Sequence, residues 1–225
     1  MCGRFFVEKE SDDELLNRMI AEAERRQQAI MGEANIACGE VFPTFTVATI
    51  AMGRNGKIGA YPMQWGFHLP NDKLIINTRS ETALQKQLFR KSMLERRCLI
   101  PCSWYFEWET RDDRQSFLED MPSLEIHPEA QTARSKTKKQ TKIKYAIRPK
   151  ASGIIYLAGI YRYEEFQRLP VFSILTRKPS QEISFIHDRM PMIFSHKTHS
   201  AWLDRNADLQ DVMKLSETAM AYRVA

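Results

Sequence analysis

The chain has 225 residues, of which 43% are hydrophobic, enough for a proper core and too apolar for a disordered chain. No run approaches the roughly 20 apolar residues of a membrane span, and MCGRFFVEKE has no apolar leader region, so a single-domain cytoplasmic protein is expected. Net charge is +5, but residues 130–150 hold eight Lys or Arg and no acid, which leaves the remainder net acidic. A high isoelectric point therefore says little by itself about nucleic acid.

In chain order, Ser11-Asp12-Asp13-Glu14 has the form of a capping box. Leu15, Leu16, Met19, Ile20 and Ala23 follow at helical spacing, which predicts a helix over about 12–31 ending near Gly32. TFTVATIAM and KIGAYPMQW flank Arg54-Asn55-Gly56, a strong hairpin signal. KLIIN reads as a strand and ETALQKQLF as a short helix. Strands are expected at 97–109, 142–148, 154–162 and 170–176. KPSQEISFIHDRMP then predicts a short helix opened by proline and running into a loop. The tail from about 198 reads as mostly helical. Strands outnumber helices and rarely alternate with them, so the fold class is α+β, with an antiparallel or mixed, barrel-like β core flanked by helices. The polar stretch 110–141 interrupts two strands and reads as an insertion or long loop, basic towards its end. For the basic run two readings stand: a solvated segment, or a cover over a phosphate backbone.

Of the four cysteines, Cys98 and Cys102 lie in RCLIPCSWYFEW, where even spacing places both on one face of a strand. A reducing compartment argues against disulfides, and CxxxC within a strand is a poor zinc signature, so they are expected as core thiols. No HxxxH or HExxH pair occurs, and neither metal nor cofactor is expected. Cys2 is different. Loss of Met1 would leave an α-amine beside a thiol, both with usable nucleophilic forms near neutrality. Such a 1,2-aminothiol can condense with an aldehyde to a thiazolidine or act in acyl transfer as an N-terminal nucleophile. Position alone does not separate either from an incidental cysteine.

Glu107, between Phe106 and Trp108, is either a carboxyl raised for general-acid work or a strand residue facing water. His187, beside Asp188 in IHDRMP, is either a proton shuttle or a structural histidine. Asn77, Arg79 and Glu81 in INTRSET sit at a strand end, where functional side chains and ordinary turns both occur. Arg4 and Arg189 could each fork onto a phosphate.

MCGR at the start, then INTRSET, RRCLIP with FEW, and IHDRMP, occur in the order found in the SOS-response-associated peptidase family, also called abasic-site processing proteins. The chain resembles that family from Cys2 to about Ile193. The resemblance implies an α+β domain binding single-stranded DNA in a positive groove, with Cys2 joining covalently to the aldehyde of an abasic site. It implies that Asn77 orients the cysteine or its adduct, that Glu107 and His187 move protons, and that Arg4, Arg79 and Arg189 hold phosphates. Pro43 matches the proline lining the groove, and the family's peptidase label refers to removal of the leading Met. A thiol peptidase or amidohydrolase built on Cys2, and a non-catalytic single-strand-binding module, are the alternatives. Three departures stand out. Gly39-Glu40 replace a Tyr-Asn pair, Phe67-His68 replace a tryptophan pair that wedges against bases, and Ser103-Trp104 replace Asp-Gly. Trp104 is thus either a new aromatic near the site or core filling.

Overall fold

The computed structural model describes residues 2–9, 12–53, 55–112, 140–150 and 153–225. Strand β1 (Arg4–Val7) leads to helix α1 (Glu14–Met31) and to strands β2 (Gly39–Val41), β3 (Thr46–Met52) and β4 (Ile58–Trp65). Short strands β5 (Phe67–His68), β6 (Leu74–Ile75) and β7 (Asn77–Arg79) precede helices α2 (Ser80–Ala83) and α3 (Gln87–Glu95). The longer strands β8 (Arg97–Cys102), β9 (Trp104–Asp112), β10 (Gln140–Pro149), β11 (Ile155–Arg162) and β12 (Val171–Arg177) follow. The chain closes with β13 (Met190–Pro191), β14 (Ile193–Phe194), α4 (His199–Leu203), α5 (Leu209–Lys214) and β15 (Met220–Val224).

The fold is α+β with a mixed β core. One sheet has five antiparallel strands in the order β15-β10-β9-β1-β2. The other curls into a ring, because β12 pairs in parallel with β4 and antiparallel with β11, while β3 and β8 complete the circuit. β7 adds in parallel to β12 just beyond β4.

Period-two alternation builds two cores. From β8, Cys98, Ile100 and Cys102 face one buried cluster while Leu99 faces the other. From β11, Ile155, Leu157 and Tyr161 join the first, and Tyr156, Ala158 and Ile160 the second. The first cluster fills the ring and the inner face of the five-stranded sheet, through Phe5, Val7, Tyr105 and Tyr145. The second lies under α3, α4 and α5, with Phe89, Trp202 and Val212. A strand buried on both faces has no polar side, which is why CLIPC, after Arg97, is a continuous apolar run. Cys98 and Cys102 are free, buried core thiols.

The structure corrects several boundaries. Asp13 caps α1, its Oδ1 accepting from the Leu15 and Leu16 amides at 2.9 and 3.3 Å. The box opened by Ser11 lies outside the described residues. Gly32 ends α1 with φ 85°, a left-handed conformation that costs glycine little. The strand read over 97–109 is two strands of different sheets, parted at Ser103, whose amide donates to Phe6 O at 2.8 Å. ETALQKQLF divides between α2 and α3, and KPSQEISF yields only a 3₁₀ turn, Gln181–Ile183, too short to be a helix. The tail ends as strand β15, which covers the edge of β10.

The 110–141 interruption shortens as well. β9 runs to Asp112 and β10 starts at Gln140, so only 113–139 lie outside the described residues. Residues 140–149 of the basic run form a strand paired on both edges for part of its length, not a solvated segment.

Candidate functional site

The expected catalytic residues, Cys2, Asn77, Glu107 and His187, come from four separate places in the chain and meet where the first strand of the five-stranded sheet approaches the ring. β1 is held between β2 and β9. The residue preceding β7 is fixed from two sides, since Ile76 O accepts from Trp65 Nε1 at 2.9 Å and from Ile174 N at 3.0 Å. That delivers Asn77, whose Nδ2 donates to Cys2 O at 2.8 Å. Its Oδ1 is buried without a hydrogen-bond partner among the described residues. Asn77 thus grips the backbone of the candidate nucleophile and keeps one acceptor beside it.

Cys2 is fully buried, and its Sγ lies 3.7 Å from Arg4 O. Burial and the nearby Glu107 carboxylate push the Cys2 thiol well above its ordinary range, against the opposite pull of the positive amino terminus. Glu107 is 3% exposed, which settles its orientation: it faces inward, with Tyr105 two residues before it on β9. Burial pushes the Glu107 carboxyl up to about 7, partly offset by the positive amino terminus. Tyr105 is also fully buried, and its hydroxyl has no hydrogen-bond partner among the described residues. Burial raises it, with Cys2 and Glu107 adding to the effect. Tyr105 therefore belongs with these groups, although an aromatic in an apolar run carries no signal of that in sequence.

His187 approaches from the loop after the 3₁₀ turn. Its Nδ1 lies 3.0 Å from the Arg189 amide and 2.7 Å from Asp188 Oδ1. One nitrogen cannot both accept from an amide and donate to a carboxylate, so the two contacts describe the neutral and the protonated ring in turn. Desolvation and the positive amino terminus lower the His187 pKa, against the raising effect of Asp188. The neutral form, with Nδ1 accepting and the proton on Nε2, is therefore the resting one near pH 7.

The arginines divide. Arg189 is 8% exposed, and its fork holds both oxygens of Glu81 at 2.8 Å while one arm also reaches Thr176 O at 2.7 Å. It braces the His187 loop against β12 and α2, and this pairing holds the Glu81 carboxyl below the usual range. Arg79 is exposed at the end of β7, open to an anion. Arg4 lies over the rings of Phe42 and Trp108, at 4.2 and 5.3 Å, with Nη1 3.1 Å from Glu40. Lys144, counted in sequence only as part of the basic run, joins it, with Nζ 2.8 Å from the same Glu40 and 3.9 Å from the Phe106 ring. Burial pushes the Glu40 carboxyl up, but its bonds to Lys144 and Arg4 outweigh this and hold it below the usual range. Pro43 is half-buried in the loop after β2, next to Thr44 at φ 73°.

At the departures, Phe67 is fully buried beneath Arg162, and His68 is clamped by Glu164 through its amide at 3.0 Å and Nδ1 at 2.7 Å. Phe67 therefore presents no stacking platform, while His68 is held in one orientation with its side chain 39% exposed. Trp104 stacks on Phe6, centroids 4.6 Å apart, on the side of β9 away from Glu107. No group of three or more His, Cys, Asp or Glu suited to a metal occurs among the described residues, and no helix is long and apolar enough to cross a membrane.

Known proteins resemble this chain. The abasic site processing protein YobE of Bacillus subtilis is 30% identical over 219 residues, covering 92% of this chain and 84% of that protein. YoaM of the same organism, likewise named an abasic site processing protein, is 28% identical over 213 residues, covering 91% and 79%. The abasic site processing protein HMCES of Gallus gallus is 26% identical over 151 residues, which is 64% of this chain and 42% of that protein. In fold, a crystal structure of a Bacteroides thetaiotaomicron protein matches with a TM-score of 0.67 at 19% identity, covering 99% of this chain and 91% of that one. The SOS response associated peptidase model matches residues 1–127 and 129–225. With that match spanning the start of the chain, the INTRSET and FEW segments and the histidine loop alike, the chain belongs to the SOS response associated peptidase (SRAP) family.

Proposed function

We propose that this protein processes abasic sites in single-stranded DNA by forming a thiazolidine crosslink through Cys2 once Met1 has been removed. One observation carries the reading: Asn77 holds the Cys2 carbonyl at 2.8 Å while the buried Glu107, titrating near 7, acts on the same cysteine. An aminothiol meets its aldehyde here beside a proton donor and acceptor of matched strength.

The chemistry follows from those groups. The Cys2 amine adds to the aldehyde carbon, and the carbinolamine loses water to give an imine. The thiol then adds to the imine carbon, closing the five-membered ring, and its proton ends on the ring nitrogen. A thiol raised by burial supplies little thiolate at pH 7, so the amine acts first and the thiol traps its product. The same fact speaks against a peptidase that relies on a standing thiolate. Glu107 can give a proton to the sugar oxygen as the sugar opens and recover one as the imine forms. His187, neutral at rest, can carry protons to and from the site. Asn77 Oδ1, buried without a partner among the described residues, can accept from the freed amine. The exposed Arg79 and the cations around Glu40 supply charge for flanking phosphates.

Cys2→Ala and a Met1-retained form test this directly. Neither should form a heat-stable adduct with abasic single-stranded DNA. A Met1-retained protein that crosslinks as fast as the processed one would rule out the thiazolidine.

A further inference from the structure

The outer face of the five-stranded sheet carries an arrangement that reaches well beyond the reactive centre and the cations around Glu40. On β9, Tyr105 and Glu107 point inward, so Trp104, Phe106 and Trp108 point outward. Their cross-strand neighbours are Phe6 and Arg4 on β1, and Lys144 and Ala146 on β10. Arg223 on β15 pairs with Ala146 and lies over the Trp104 ring at 5.5 Å. The helices pack elsewhere: α1 against β3 and β4, α3 against β8 and β11, and α4 against β8. Small Ala146 and Ala221 leave a hollow of about 460 Å³ beside Trp104, rimmed by Arg148 and Arg223, with Glu8 as its acid.

The charges on this face are not cancelled. Arg4 and Lys144 share the single carboxylate of Glu40. Arg148 donates to Gly153 O, and among the described residues neither Arg148 nor Arg223 is paired with a carboxylate. Phe106 is buried and Trp104 already stacks on Phe6, so the reachable part of this face is the half-exposed rings of Trp104 and Trp108 with the cations beside them. That suits a single nucleic-acid strand whose bases meet the rings and whose phosphates meet the cations.

The geometry points to this face, centred on Trp104, as a second contact surface that carries the DNA strand away from the reactive centre. The inference rests on the abasic-site reading, because the face begins at Trp108, the neighbour of Glu107, and reaches Trp104 four residues or ~13 Å further along β9.

The test is fluorescence anisotropy of an abasic trinucleotide and an abasic 15-mer over a range of salt, with wild type, Trp104→Leu and Arg223→Gln. Wild type should bind the longer strand more tightly. Trp104→Leu should lose roughly fivefold to a hundredfold of affinity for the 15-mer. Arg223→Gln, an exposed edge-strand change that does not disturb a core, should lower the salt slope on the 15-mer by about 0.7. Wild-type affinity and slope in both variants overturn the proposal, and if Trp104→Leu does not fold, Arg223→Gln decides alone. Wild-type crosslinking of the trinucleotide is read separately. A protein that shows these length and salt effects yet forms no adduct supports this surface and contradicts the crosslinking reading instead.

Discussion

Glu107 is the residue on which sequence and physics most nearly diverged, since strand alternation beside two aromatics allowed it to face water. Buried at 3% exposure, its carboxyl titrates near 7, where an ordinary glutamate titrates at 4.5. The folded protein therefore holds a proton that the unfolded chain releases between those values, and stability falls as pH rises through that window. Glu107→Gln removes this cost, so at pH 8 it should be more stable than wild type by on the order of 1–3 kcal/mol in denaturant titration. The same variant should slow adduct formation by about 10²–10⁴-fold, the usual contribution of a positioned acid. Unchanged single-turnover rates would remove Glu107 from the mechanism. Asn77→Ala loses the bond to Cys2 O and the acceptor beside it, and the rate at saturating DNA should fall about tenfold or more while circular dichroism stays as in wild type. Both residues were legible in sequence through the family motifs. Tyr105 was not, because a tyrosine between apolar neighbours looks like core until its alternation with Glu107 is known. Lys144 was hidden in another way, as one lysine of a basic run, until the strand register set it opposite Trp108.

At the scale of elements, local rules worked wherever the determinant lay within a few residues. Helix α1 starts and stops where a carboxylate cap and a left-handed glycine require, although the cap is Asp13. Asp13→Ala should cost about 1 kcal/mol in denaturant unfolding, and a loss near zero would mean the helix is held by packing alone. The loop carrying His187 depends on a partner far away in sequence. Arg189 reaches Glu81 across 108 positions, a pairing no local pattern reveals. Glu81→Ala strands a nearly buried guanidinium. Discounted for the half-exposed carboxylate, it should cost about 1–3 kcal/mol and shift the pH profile of crosslinking by loosening His187. An unmoved pH profile would reduce Arg189 to a purely structural tie. The expected helix after Lys178 is cut to one 3₁₀ turn, Gln181–Ile183, because the chain must turn back through the following residues to pair with β12 at Met190 and Pro191.

At the scale of the whole molecule, the α+β class was legible because strands dominate and rarely alternate with helices. The closure of the ring was not. It depends on β12 pairing in parallel with β4 and β7 and antiparallel with β11, contacts between distant segments that share no periodicity. That closure makes the site, since it brings Asn77 to the cysteine that β1 carries in from the other sheet. The two sheets together seat Cys2 beside the buried Glu107 and Asn77. The most direct test is the intact mass of Met1-processed protein after incubation with an abasic single-stranded oligonucleotide. The expected product is a heat-stable species heavier by the oligonucleotide less one water, absent in Cys2→Ala. Protein of unchanged mass, or an equal adduct in Cys2→Ala, would contradict it.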